Sequence, residues 1–496
     1  MSDPVSSFAI NFVAIFGGVL LLLLVSVLVL ALVIYQLDKH QTHHAIRRNY
    51  PLVGRFRYWF EHLGEFLRQY FFAMDREEMP FNRAQRSWVY RAAKNLDNTV
   101  AFGSSRDLRV PGTYYFLNCP FPTLKEDAAP SRPLVIGAGC RQPYRAASFF
   151  NISGMSYGAL SRVAVESLAA GARQAGCWMN TGEGGVSPFH LQAGCDIVYQ
   201  IGTAKYGVRD EEGLLCDAKL REKAALEQVK MFEIKLSQGA KPGKGGILPA
   251  EKVSAEIAAI RGIPEGQASI SPNRHPDIAS IDDLLDMLMR VREVSGKPCG
   301  FKLVLGTTDW LDEFCAAIIR RGAESAPDFI TLDSSDGGTG AAPMPLMDSV
   351  GLPLKESLPL LVNKLQANGL RDRIRIVASG KLINPTDVAA AICMGADFVV
   401  SARGFMFSLG CIQALQCNKN TCPTGITTHQ PELQRGLVAA DKAQRVASYH
   451  QHIVHEVEMI AHSCGVTEPR GLDRQHAAIV LEGGRSVPLN ILYPQD

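Results

Sequence analysis

The sequence predicts an α/β protein whose main body is a (β/α)8 TIM barrel, preceded by one N-terminal transmembrane helix. Three observations carry this. From about residue 148 short apolar or β-branched runs alternate with longer helical patterns, which makes a parallel sheet with right-handed crossovers. Seven strand candidates over roughly 250 residues fit a closed barrel with one strand unplaced. Finally, Phe8 to Tyr35 is 28 residues without a charge.

The apolar run, at about 1.5 Å per residue, exceeds the bilayer core and allows one tilted span, about 8–35. A cleaved signal peptide is the alternative. It wants a basic start and a shorter run, whereas the chain begins MSDPVSS with Asp3. Lys39, Arg47 and Arg48 follow, so everything after residue 38 is expected in the cytoplasm, on a single-pass anchor in the cell (inner) membrane. Residues 39–147 form a basic juxtamembrane extension; 39–109 carry 13 Lys/Arg against seven Asp/Glu. Within it PLVGRFRYWFEHLGEFLRQYFFAMD mixes aromatics and arginines at helical spacing. It reads either as a helix against anionic headgroups or as one packed on the catalytic domain. KEDAAPSRP (125–133) separates this region from the body.

The strands are FFNIS (149–153), CWMN (177–180), MFEIKL (231–236), GFKLV (300–304), DFITLD (328–333), RIVAS (375–379) and DFVVSA (397–402). Helices between them include 161–176, 281–296 and 385–396. The first strand runs into GMSYGALS, not the G-x-G-x-x-G of a doubly wound dinucleotide fold. The Gly-rich stretch 181–275 is assigned to active-site loops. The tail, 438–496, is expected to be helical, with Val446, Tyr449, Ile453, Val457 and Ile460 as its packing face.

Composition narrows the function. Over 496 residues, 47% hydrophobic and 20% charged, the chain is globular, and a net charge of +2 gives no support for nucleic-acid binding. Twelve cysteines, mostly isolated in apolar text, suit a reducing compartment. GAKPGKGG (239–246) is not a P-loop, since Gly245 follows Lys244. DSSDGGTGAAP follows a strand with Gly337, Gly338 and Gly340. Ser379–Gly380 and Ala402–Arg403 end the next two strands. Gly-bearing ends late in a barrel suit a phosphate-bearing cofactor. Lys235 and Lys302 lie inside apolar strands, which is costly without an anionic partner. Cys411-x5-Cys417-x4-Cys422-Pro423 suits an iron–sulfur cluster; zinc with His429, or three buried thiols, are the alternatives.

These motifs resemble the FMN-binding synthase domain of glutamate synthase. The resemblance runs over 148–437, through GMSYGALS, NTGEGGVSP, IKLSQGAKPGKGGILP, ISPNRHPDIASIDDL, DGGTGAAP and CIQALQCNKNTCPTGITTHQPELQRGL. It implies a barrel of the FMN-linked oxidoreductase type carrying FMN and a [3Fe–4S] cluster. Cys411, Cys417 and Cys422 would be the cluster ligands. Ser153, Gly154, Lys302, Gly337, Gly338, Thr339, Ser379, Gly380, Ala402 and Arg403 would hold FMN. Lys235, Gln238 and Glu183 would line the 2-oxoglutarate pocket, with Lys302 beside them.

No glutaminase domain and no C-terminal β-helical domain is expected, so the pattern is closer to stand-alone synthase-domain proteins. The activity expected is reduction of 2-iminoglutarate, from 2-oxoglutarate and ammonia, to L-glutamate. A one-electron donor such as ferredoxin would supply the cluster. Nitrogen would come from free ammonia, another amine or a separate glutaminase subunit. The alternatives are an amine or amino-acid dehydrogenase feeding electrons to the membrane, a barrel of the IMP dehydrogenase kind, and a non-catalytic membrane-anchored subunit.

Overall fold

The computed structural model describes residues 4–494 and divides the chain into two compact units, residues 1–84 and 85–496. The boundary falls inside the basic extension, so residues 85–147 belong to the barrel's unit.

In the first unit, α1 (Pro4–His40) is long and apolar enough over Asn11–His40 to cross a membrane. Two helices follow, α2 (Ala45–Asn49) and α3 (Gly54–Phe71). Asp38, fully buried, ties them to α1. It lies 3.2 Å from Arg47 Nη2 and 2.8 Å from Arg55 Nε, and accepts from the Leu52 N–H at 3.2 Å.

In the second unit eight parallel strands close in chain order among the described residues. They are β1 (Phe150–Ile152), β2 (Met179–Asn180), β3 (Ile197–Ile201), β4 (Val229–Lys235), β5 (Cys299–Val304), β6 (Phe329–Asp333), β7 (Arg375–Ser379) and β8 (Phe398–Ser401). β8 pairs β1, Val400 opposite Asn151, and seals the barrel. β3 is the strand that the sequence left unplaced. Only a four-residue helix, Pro188–Leu191, lies between it and β2's own loop, so no long helical pattern announces it.

The crossover helices end where local chemistry dictates. α4 (Arg162–Ala175) starts with the Ser161 side chain accepting from the Ala164 N–H and stops at left-handed Gly176. α5 (Ile281–Ser295) has a Ser280–Asp283 capping box and stops at Gly296. α6 (Pro385–Cys393) has Asn384 as its cap and Pro385 in its first turn.

A hairpin, Leu134–Ile136 with Tyr144–Ala146, fills one end of the barrel. Its Ile136, Tyr144 and Ala146 join Trp178, Phe329 and Phe398, which stand at the strands' N-terminal ends, in one buried cluster. At ~1.5–3 kcal/mol per large buried side chain, this end is a packed plug. Chemistry is left to the opposite, C-terminal end.

The tail begins as expected with α7 (Ala439–Ser463), burying Val446, Tyr449, Ile453 and Val457. It is not helical throughout. Ala477–Val480 forms a strand between Tyr114–Phe116 and Ser486–Pro488, so residues from the basic extension and the tail share one antiparallel sheet. Pairing on both sides, with all four residues Ala-Ala-Ile-Val buried, holds this segment as a strand despite its two alanines.

Candidate functional site

At the C-terminal strand ends lies an open cavity of about 180 Å³, to which residues on or just after every strand contribute. Ser153 and Gly154 follow β1, Glu183 follows β2, Gln200 is on β3, and Lys235 and Gln238 come from the end of β4. Lys302 is on β5, Asp333 ends β6, Ser379 and Gly380 end β7, and Ser401 to Arg403 end β8.

Two of the cavity's lysines are buried in ion pairs. Lys235 Nζ stands 3.2 Å from Glu183 Oε1 and also donates to Gln238 Oε1, whose amide donates onward to Thr339 Oγ1 at 3.3 Å. Burial pushes the Glu183 carboxyl up, but Lys235, Lys241 and Arg261 together hold it below the usual carboxylate range. A Cβ on Gly246 would lie 2.2 Å from Glu183 Oε1, so the loop passes close over this carboxylate and a larger residue would displace it. Burial, with the neighbouring Lys235, brings the Lys241 ammonium down to about 8.

Lys302 Nζ stands 3.1 Å from Asp333 Oδ2. Burial acts to lower its pKa, but Asp333 and Glu233 outweigh it and the ammonium is held above its ordinary range. Glu233, deeper in the barrel, accepts from Asn180 at 2.8 Å, Gln200 at 2.7 Å and Thr331 at 2.5 Å. Asp333 also accepts from the Gly239 N–H at 2.9 Å, which fixes the loop after β4 against β6.

Arg403 leads from the cavity to the cysteine segment. It donates to the Thr339 carbonyl, and its Nη1 is 3.7 Å from Cys417 Sγ. Lys252, almost fully buried, donates to the carbonyls of Cys417 and Thr427. Burial holds Cys411 up at about 11, although Arg403 opposes it. Cys422 sits beside the Thr424 hydroxyl, 3.4 Å away. Among the described residues no three His, Cys, Asp or Glu side chains are gathered to hold a single metal ion. His429, the alternative zinc ligand, has its Nε2 on the Gly158 carbonyl at 2.8 Å.

The structure thus brings together Glu183, Lys235, Gln238, Lys302, Ser153, Gly154, Gly338, Thr339, Ser379, Gly380, Ala402, Arg403 and Cys417 around one cavity. Gly337 stands behind its wall, its N–H on the Ser334 carbonyl at 2.9 Å. Cys411 and Cys422 lie off the cavity on the same segment as Cys417. Residue-by-residue reading missed Lys241, Lys252, Arg261 and Asp333. Lys241 and Asp333 fall inside motifs already singled out. Arg261 ends a short helix, Ala255–Arg261, and gives no local signal; it reaches the cavity over the Tyr206 ring, 5.1 Å from its centroid.

The family model described as the conserved region in glutamate synthase matches residues 123–467. The chain belongs to the glutamate synthase family. It is an oxidoreductase of that family, built on the closed eight-stranded barrel. The glutamate synthase large subunit-like protein YerD of Bacillus subtilis is 38% identical over 93% of this chain and 95% of its own. The archaeal glutamate synthase [NADPH] of Methanocaldococcus jannaschii is 36% identical over 65% of this chain and 60% of its own. Against the glutamate synthase [NADPH] large chain of B. subtilis the match is 32% over 62% of this chain, but it spans 19% of that protein. Among solved structures, a flavocytochrome b2 variant with benzoylformate aligns over 90% of this chain and 93% of its own, at 15% identity and a TM-score of 0.47.

Proposed function

We propose that the chain is an FMN- and iron–sulfur-dependent glutamate synthase-type oxidoreductase. It reduces 2-iminoglutarate, formed from 2-oxoglutarate and ammonia, to L-glutamate. The observation that carries this reading is the cavity's charge. Among the described residues its lining holds Lys235, Lys241, Lys252, Arg261, Lys302, Lys381 and Arg403 against the carboxylates Glu183 and Asp333. Such an excess of buried and half-buried cations calls for anionic contents. A dicarboxylate substrate and a phosphate-bearing cofactor provide them.

The residues fit FMN. Glycines at 154, 338 and 380 leave backbone open at three strand ends, and Lys302 brings a fully formed positive charge to the barrel interior. Ser153, Gly154, Lys302, Gly338, Thr339, Ser379, Gly380, Ala402 and Arg403 would hold it. FMN bound there supplies the two-electron reduction of the C=N bond. Lys235, Gln238 and Lys241 bind and orient the substrate carboxylates. Ionised Glu183 fixes Lys235 and offers an acceptor to the N–H groups of the incoming nitrogen.

Cys411, Cys417 and Cys422 would hold a [3Fe–4S] cluster. Its negative charge suits Lys252, for which the described residues give no carboxylate partner, and Arg403 beside Cys417. Electrons arrive one at a time from a donor such as ferredoxin. Nitrogen comes as free ammonia, another amine or from a separate glutaminase subunit. Apolar α1 anchors the chain in the cell membrane, with Lys39, Arg47 and Arg48 placing the catalytic body on the cytoplasmic side. That anchor favours one second reading, oxidation of an amino acid or amine with electrons passed to the membrane.

Absorption, flavin and iron analysis of detergent-purified protein tests the proposal, followed by dithionite reduction and addition of 2-oxoglutarate with ammonium. Flavin with about three irons per chain, and reoxidation only by both substrates together, is the expected result. A flavin that stays reduced there, but is reduced by glutamate in the oxidised protein, supports the second reading.

A further inference from the structure

We infer that α3 is a second membrane contact, lying in the headgroup region of an anionic bilayer with its aromatic face in the lipid. The inference rests on α1 being the membrane span.

The sequence left α3 two partners, lipid or protein. At 100° per residue, positions 56, 59, 60, 63, 67, 70 and 71 fall within about 120° of the helix circumference. They are Phe56, Trp59, Phe60, Leu63, Leu67, Tyr70 and Phe71. This is the apolar face, and its aromatic residues are turned to the outside: Phe56 is 59% exposed, Trp59 53%, Phe60 60% and Phe71 73%, while Leu63 and Leu67 are half-buried. The other side carries Arg57, Glu61, Glu65 and Arg68, with Arg57 and Glu61 paired at 3.1 Å. A soluble helix buries such a face. A helix rich in Trp, Tyr and Phe that leaves it bare, beside arginines, matches the chemistry of the membrane–water boundary.

Two observations put α3 at that boundary. The first is the Asp38 junction. Asp38 lies in the last turn of α1, where Lys39 Nζ stands 5.7 Å from the Tyr35 ring centroid, an aromatic–basic pair suited to a span's end. Arg55, at the start of α3, and the Leu52 N–H both hold this one carboxylate. The start of α3 therefore stays within a few ångströms of the point where α1 leaves the hydrocarbon. The second is charge. From Asp38 to Arg68 the chain has six Lys/Arg and three Asp/Glu, an excess of positive charge that remains with Arg47 and Arg55 held by Asp38. Basic side chains within a Debye length of an anionic leaflet are attracted to it. The basic excess selects phosphatidylglycerol-type lipid over zwitterionic lipid.

Trp59 is the probe. The full-length holoenzyme and its Trp59→Phe variant are reconstituted in vesicles of phosphatidylcholine alone or mixed with phosphatidylglycerol, with acyl-brominated lipid as quencher. The difference between the two proteins isolates the Trp59 emission. The expected result is loss of that emission with brominated lipid, protection from aqueous acrylamide, and a stronger lipid effect with phosphatidylglycerol that weakens at high salt. Quenching by acrylamide alone overturns the inference, since the face is then bare in water. Shielding from both quenchers also overturns it, because the face is then covered by protein. Equal lipid quenching in both vesicle types overturns the anionic preference. Alkaline carbonate extraction separates the two readings. A chain that is extracted refutes the span itself; a chain that resists extraction without lipid quenching of Trp59 refutes the α3 contact alone.

Discussion

Lys252 Nζ donates to the Cys417 carbonyl at 3.0 Å and to the Thr427 carbonyl at 2.6 Å, so one buried ammonium ties together both sides of the segment that carries Cys422. Replacing it with methionine keeps most of the volume and removes the charge. One positive charge a few ångströms from a redox group shifts its potential by on the order of 100 mV. Lys252→Met should lower the midpoint potential of the proposed cluster by about that much, reduce iron per chain and leave flavin content unchanged. Redox titration followed by EPR checks it; an unchanged potential at full iron content removes Lys252 from the cluster's surroundings.

The Glu183–Lys235 pair makes a second prediction. Lys235→Met removes a charged contact worth ~1.5–3 kcal/mol and should raise the KM for 2-oxoglutarate about 10- to 100-fold. Glu183→Gln bears on stability. The Glu183 carboxyl is held below its ordinary 4.5 in the folded chain, so the unfolded chain takes up the proton first as pH falls. Its contribution is fully present above pH 4.5 and is lost below that, as pH falls through the folded value. The stability gap between the native protein and Glu183→Gln should therefore narrow only below pH 4.5. Chemical denaturation across that range measures it.

Much of this was legible in the sequence because barrel strands are short, buried and β-branched, and the chemical residues stand just after them. β3 was hidden for a physical reason. It follows a Gly-rich loop whose crossover helix is only four residues long, and Gln200 interrupts its apolar run, its amide reaching Glu233 inside the barrel. Gly337, Gly338 and Gly340 read alike as bare backbone, yet the turn that places 338 and 340 at the cavity puts Gly337 behind it, against the Ser334 carbonyl. Nothing in the local sequence marks Arg261, at the end of AEIAAIR, or Lys252, in PAEKVS, as turned inward. Tertiary folding alone carries them inward, to Tyr206 and to the cysteine segment.

Gly380 gives a third prediction. Its φ is +119°, and a Cβ there would sit 2.3 Å from Ser334 Cβ. Gly380→Ala should cost about 1–3 kcal/mol in backbone strain. It should also push apart the ends of β6 and β7, which the Ser334 N–H to Ser379 carbonyl bond joins at 2.8 Å. The expected outcome is a lower flavin-to-protein ratio and weaker FMN reconstitution of the apoprotein. Gly139→Ala is the control, because nothing lies within 4 Å of a Cβ at that glycine. Equal flavin content in both variants would take the β7 end out of the cofactor site.

In the proposed reading, Lys241 sets the pH range over which the cavity binds its dicarboxylate substrate. Burial and the charge of Lys235 bring its pKa from 10.5 down to about 8. Below pH 8 the ammonium is formed and adds to the attraction for substrate carboxylate. Above pH 8 the free enzyme loses that proton, and binding an anion must first restore it. The Kd for 2-oxoglutarate should therefore be flat below about pH 7.5 and rise toward tenfold per pH unit above pH 8. Equilibrium binding is the measurement to make, since ammonia's own protonation would distort a rate profile. Lys241→Gln should weaken binding at pH 7 and abolish the rise above pH 8. If the native rise persists in Lys241→Gln, another group titrates it and Lys241 does not face the substrate.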